Sequence, residues 1–188
     1  MELSTKQITQ TALLLAICIA SQLMKNVSVY ITGSIINMTI ILAVLLIGLS
    51  SGILLSVISP LTAFWIAPSP ITMGIPFIIP CIMIGNILLV LGVWVFQRKR
   101  LTTKTTIRLA IGMGLGAIAK ATFMGVSIVM ILLPLYSGNI GVPEQKLNVL
   151  LQTAQVTFSI TQLITAIIGC VISYIVWSRI KSAVEFEN

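Results

Sequence analysis

Apolar residues fall into six long runs separated by short polar interruptions. Read as helices, the runs cover about 6–24, 35–49, 52–66, 76–96, 106–134 and 147–179. A bilayer crossing needs ~20 apolar residues, so a chain of 188 residues with short loops holds about six or seven spans at most. The pattern therefore predicts an all-α membrane protein, a six-transmembrane-helix bundle. The second and third runs meet at Ser50-Ser51-Gly52, a very tight turn. Both are short for full spans and are expected to be tilted, bent or incomplete. The fifth and sixth are long, and their ends are expected to project beyond the hydrocarbon.

Composition narrows the picture. Hydrophobic residues make up 57% and charged residues 8% of the chain, against about 25% charged in an ordinary soluble domain. Mean hydropathy is +1.12. A soluble domain of this size cannot hide so much apolar surface. Residues 1–188 read as a single integral membrane domain with no room for a second, soluble one.

The chain carries eleven Lys/Arg, four Asp/Glu and no His. A pI near 9.7 is what a nucleic-acid binder would show, but the positions of the basic residues argue for topology instead. With the N-terminus in the cytoplasm, Lys6, Arg98, Lys99, Arg100, Lys104, Arg108, Arg179 and Lys181 all lie inside. Only Lys25 and Lys146 lie outside, and Lys120 lies within the fifth helix. That bias places both termini in the cytoplasm by the positive-inside rule. Trp65, Trp94 and Trp177 stand near helix ends, where interfacial anchors sit. The first segment has the apolar length of a signal peptide, but Glu2 offsets Lys6 in a weak basic region and Ile17 is too large for lipoprotein processing before Cys18. It is expected to remain as a mature span. Cys18, Cys81 and Cys170 match no zinc or redox spacing and read as small core hydrophobes.

Small residues recur at helical spacing in two places. Ala12, Ala16 and Ala20 share one face of the first helix. Gly112 and Gly116, with a row of Ala117, Ala121 and Gly125, mark the fifth. Such rows let helices approach closely in lipid. In the fifth helix internal packing is the expected use. In the first, whose other surface is Leu and Ile, a docking face for another membrane subunit is expected.

Lys120 is twelve residues beyond Arg108, about 18 Å from the inner boundary. No acidic residue lies in any span; Glu2, Glu144, Glu185 and Glu187 are near termini or in a loop. A lone charge at that depth costs ~3 to more than 10 kcal/mol unless it reaches water or a partner. A polar cavity is the expected solution, and a cationic wall without an internal anion suits a ligand with a carboxylate, a phosphate or strong acceptors. Other polar residues gather toward the outer half: Asn26, Tyr30, Asn37, Thr39, Thr62, Trp65, Thr72, Tyr136, Asn139, Gln152, Gln155, Thr157 and Gln162, with Asn86 deeper. Singly, each reads as an interhelical hydrogen bond of about 1 kcal/mol or less. Together with Lys120 they suggest an outward-opening pocket, for which Lys120, Asn37, Asn86, Tyr30, Trp65, Asn139 and Gln162 are the candidate substrate-binding residues.

There is no Walker A loop, no Gly-x-Ser-x-Gly elbow, and without His no Ser–His, Cys–His or His-Glu zinc system. The expectation is no enzyme, no cofactor, no metal and no nucleic-acid partner, but a protein that binds something and takes its energy from elsewhere. The Ala12-x-x-x-Ala16-x-x-x-Ala20 run, Gly48-Leu49-Ser50-Ser51-Gly52 before Ser59-Pro60-Leu61-Thr62, and Pro76-Phe77-Ile78 leading to Gly85-Asn86 resemble the substrate-binding S component of energy-coupling factor (ECF) transporters, which import micronutrients in prokaryotes. The resemblance covers essentially the whole chain. It implies a subunit of the cell membrane that binds a vitamin or related compound with high affinity from outside and docks on a membrane scaffold driven by two cytoplasmic ATPases. It also implies that Ala12, Ala16 and Ala20 contact the scaffold. Two other readings stay open: an assembly subunit of a membrane complex, and a standalone facilitator.

Overall fold

The computed structural model describes residues 4–25, 27–98 and 105–185. Asn26, Lys99, Arg100, Lys104, Glu2 and Glu187 lie outside the described residues, as do the side chains of Arg98, Lys181 and Glu185. Every element among the described residues is helical.

Helix α1 spans Thr5–Gln22 and opens on a capping box in which Ser4 Oγ accepts the Gln7 N–H and Gln7 Oε1 accepts the Ser4 N–H. Helix α2 spans Val29–Leu46 behind an Ser28 cap, and α3 spans Leu49–Ile66. Neither is short. Each holds 18 residues, about 27 Å of rise, because Thr32 and Ser34 are accommodated inside α2, and Ser50-Ser51-Gly52, expected as the turn, lie instead in the first turn of α3. Gly48 makes the α2–α3 turn at φ 136°, ψ −179°, a region open essentially to glycine alone. Gly48→Ala, which meets no atom within 4 Å, is therefore expected to lower stability by about 1–3 kcal/mol through backbone strain alone. A lower melting temperature with unchanged oligomeric profile checks this.

The short α4 (Pro70–Gly74) lies in the α3–α5 connection, and α5 covers Ile78–Arg98. Helix α6 (Thr105–Met124) continues into a wide π-helical stretch, Gly125–Leu132, and then α7, Leu133–Tyr136. The Leu133 N–H bonds five residues back to the Ile128 carbonyl, ahead of Pro134, which has no N–H to donate. A 3-10 turn, Ser137–Ile140, follows. The expected sixth helix is two helices, α8 (Glu144–Phe158) and α9 (Ile160–Glu185). The break falls at Ser159, whose hydroxyl donates to the Gln155 carbonyl.

Among the described residues, five stretches are long and apolar enough to cross a bilayer: Val29–Leu46, Leu49–Ile66, Ile78–Gln97, Ile107–Ile140 and Glu144–Ile180. The expected sixth, α1, has the length but not the apolar run, since Lys6, Gln7, Thr9, Gln10 and Thr11 fill its first two turns.

The α5–α6 pair packs most closely. A Cβ on Gly92 would stand 2.6 Å from Gly116 Cα, and one on Gly112 2.8 Å from the Gly92 carbonyl oxygen. The Gly112–Gly116 pair is thus consumed inside the bundle. Gly33 and Gly169 do the same for α2 and α9: a Cβ on Gly169 would lie 2.6 Å from Asn37 Cβ. One core cluster runs through α2, α3, α5, α6 and α9, with Ile40, Leu55, Leu89, Val93 and Ala117 at its centre. A second ties α4 and the start of α5 to Met124, Ile128, Leu132, Ile140 and Phe158. Cys18 and Cys170 are buried and Cys81 half-buried, all three as free thiols.

Candidate functional site

Between the two clusters lies a cavity of about 300 Å³. Helices α1, α2, α3, α5, α6, α8 and the start of α9 all contribute to its wall, as does α4. Its deepest polar residues are almost sealed: Asn37 is 1%, Asn86 2% and Lys120 3% exposed. The wall opens toward the end of the bundle where α1 ends and α2 begins, because Lys25, Val29, Ser69 and Thr153 on that side all keep solvent contact.

Lys120 is the centre of the floor. Its Nζ donates to Asn37 Oδ1 at 2.6 Å and to Asn86 Oδ1 at 2.7 Å. No carboxylate lines the cavity among the described residues, so two amide dipoles take the place of a counter-ion. Each asparagine is steered from behind. Asn37 Nδ2 faces Thr165 Oγ1 at 3.4 Å, while Thr165 itself donates to the Thr161 carbonyl at 2.8 Å. Asn86 Nδ2 faces the Ser56 carbonyl at 3.4 Å. That carbonyl is free because Pro60, four residues on, has no N–H to return to it. The proline in α3 thereby creates the acceptor that orients Asn86, and the neighbouring Gly85 makes room for Met124, whose Cγ would stand 2.9 Å from a Cβ there.

Above the floor, Gln22 Nε2 donates to the Ser59 carbonyl at 3.0 Å. Gln22 Oε1 and Ser59 Oγ are buried with no partner. Thr32 Oγ1 donates to the Ser21 carbonyl at 2.9 Å, fastening α2 to α1 at the same level. At the rim, Lys25 Nζ donates to the Ala67 carbonyl at 2.7 Å, bridging the α1–α2 turn to the end of α3. Burial holds the Lys25 amine below the ordinary lysine value. Apolar side chains, among them Phe64 and Phe158, form much of the remaining wall, together with Ser69, Thr72, Thr153, Thr157 and Gln162.

Of the seven residues picked from sequence, the structure brings Lys120, Asn37, Asn86 and Gln162 to this cavity. It does not bring Tyr30, Trp65 or Asn139. Tyr30 is 49% and Trp65 83% exposed, and Asn139 is exposed in the 3-10 turn. Trp65 sits in the last turn of α3 with its ring outside the bundle, as an interfacial side chain does. Of the wider polar set, Thr72 and Thr157 line the cavity, Gln152 and Gln155 are exposed, and Thr39 bonds back to the Ile36 carbonyl. Gln22 was missed. Its signal was its place on the stripe Thr11, Leu14, Cys18, Gln22, which is the buried face of α1.

Ala12, Ala16 and Ala20 lie off that stripe, exposed together with Leu13 and Ile17. Among the described residues no group of His, Cys, Asp and Glu could hold a metal. The arrangement is suited to holding a small molecule by hydrogen bonds and shape.

Compared with known proteins, the chain matches one family model over residues 6–180, described as "ECF transporter, substrate-specific component". No curated protein and no solved structure gives a significant match.

Proposed function

Because the chain belongs to the substrate-specific components of ECF transporters, integral membrane subunits that transport rather than catalyse, we propose that it binds a vitamin or related micronutrient in the cavity above Lys120. The observation that carries this reading is the sealed floor. A fully buried lysine held by two oriented asparagines at the base of a largely apolar cavity is costly in a membrane, and a recognition site accounts for it. The mouth lies at the end of the bundle opposite Arg108 and Arg179. By the positive-inside rule, that end faces outward and both termini are cytoplasmic, with α1 as a sixth membrane helix.

In this reading the chain supplies recognition only. Its Ala12, Ala16 and Ala20 face docks on the membrane scaffold subunit, and two cytoplasmic ATPases supply the energy. The exposure of that alanine row, on the side of α1 away from the cavity, supports this division.

Co-expression with a scaffold and its ATPases, followed by native mass spectrometry with small-molecule extraction, tests the proposal. The expected result is the intact four-subunit mass and a retained vitamin-like compound. An empty chain that carries no ATPase would instead favour an assembly subunit or a standalone facilitator.

A further inference from the structure

The hydrogen-bonding groups of the cavity are unevenly matched, and the mismatch has a direction. Lys120 has three N–H donors and gives two of them to Asn37 and Asn86. Each asparagine amide has two N–H donors, of which one is aimed at Thr165 Oγ1 or at the Ser56 carbonyl. The floor is left with spare N–H donors, while each asparagine oxygen has spent one of its two lone pairs on Lys120. One turn higher the surplus includes an acceptor, Gln22 Oε1, beside a serine hydroxyl that can serve either way. Gln22 is 0% and Ser59 1% exposed, yet Gln22 Oε1 and Ser59 Oγ have no partner. Ser59 is three residues along α3 from Ser56, about 4.5 Å nearer the mouth.

The charge is equally one-sided. Lys120 and Lys25 line the cavity, and no carboxylate does so among the described residues. A cationic ligand head would meet positive charge with no counter-anion within reach. At about 300 Å³ the cavity is at the small end of ligand pockets, which run ~300–1,000 Å³.

Resting on the substrate-binding reading above, we infer that the cavity takes a compact organic carboxylate. Its carboxylate sits on the donor floor at Lys120. A hydroxyl or N–H group about one helical turn away donates to Gln22 Oε1. Its apolar body lies against Phe64 and Phe158. The asparagines set the depth of the carboxylate, and the glutamine selects for the donor at that distance.

The probe is the small-molecule ultrafiltrate of yeast extract, split by ion exchange at neutral pH into anionic, cationic and uncharged fractions. Thermal unfolding of the purified chain in detergent is followed with each fraction. Stabilisation is expected from the anionic fraction, and its loss when carboxylates in that fraction are converted to methylamides with methylamine and a carbodiimide. Stabilisation by the cationic or uncharged fraction, or by an anionic fraction that survives amidation, overturns the inference while leaving the subunit a binder. Absence of stabilisation by every fraction overturns the substrate-binding reading itself. Lys120→Met is expected to abolish the response, and Gln22→Leu to raise the half-maximal dose of the anionic fraction at least ~10-fold. An unchanged dose with Gln22→Leu removes the donor from the ligand description. The charge sorting is read on the wild-type chain, so it stands even where a variant does not fold.

Discussion

Cells carrying Ala16→Trp, together with the wild-type scaffold and ATPases, are expected to take up no substrate. The purified variant is expected to bind substrate within about twofold of wild type. The reasoning is geometric. Alanines at four-residue spacing keep a strip of helix surface flat enough for another helix to approach backbone to backbone, which is where association in lipid gains its packing energy. Ala16 is the middle of that strip and is exposed in the isolated chain. A tryptophan there has space in the free subunit but holds a partner helix several ångströms away. Gln22, the α1 residue in the cavity, belongs to the buried stripe with Leu14 and Cys18, so the substitution does not reach the binding site. Radiolabelled uptake, co-purification of the scaffold and a binding isotherm separate the two effects. Transport at the wild-type rate by Ala16→Trp would sink the docking assignment.

Gly92→Leu is expected to prevent the bundle from assembling, at a cost above ~3 kcal/mol. A Cβ at residue 92 meets Gly116 Cα at 2.6 Å, Gly116 N at 2.9 Å and the Gly112 carbonyl oxygen at 3.0 Å. All three are backbone atoms, which cannot rotate away as a side chain can. The α5–α6 pair must separate, and with it Asn86 leaves Lys120. Gly114→Leu is the matched control, because nothing stands within 4 Å of its Cβ position. It replaces glycine by a better helix former and should fold at least as well as wild type. Fluorescence-detected size exclusion of the two variants gives the comparison. A monodisperse Gly92→Leu peak at wild-type yield would mean that the close α5–α6 contact is not required.

Much of this was visible in the pattern of residues, and the failures have identifiable causes. A lysine among apolar residues with no acid in any span already required a polar partner, and Asn37 and Asn86 stood out as amides in apolar runs. What sequence could not supply was direction. Tyr30, Trp65 and Asn139 are polar or amphipathic residues at the edges of apolar runs, as Asn37 is, but which way each points depends on the neighbours their helices acquire. Asn37 faces inward because Gly169 brings α9 against it. Trp65 has no such neighbour. Pro60 was legible as a proline in an apolar run, but its effect, the release of the Ser56 carbonyl toward Asn86, emerges only when α3 and α5 are side by side. The division of the last helix at Ser159 carried no glycine or proline to announce it. It is set by tertiary packing, with Phe158 drawn into the second core cluster beside Met124 and Ile128.

The hydrogen bonds of Lys120 also have an order in time. Its two acceptors lie 83 and 34 residues earlier in the chain. At ~5–20 residues per second of synthesis, α2 and α5 leave the ribosome seconds before Lys120 does. The charged helix is therefore delivered to a membrane that already contains both groups able to receive it, and the cost of inserting the lysine falls on a half-built bundle rather than on an isolated segment in lipid. A permuted chain that made α6 before α2 and α5 would present the same residues and the same final fold, but would have to carry an unpaired ammonium through its own biogenesis.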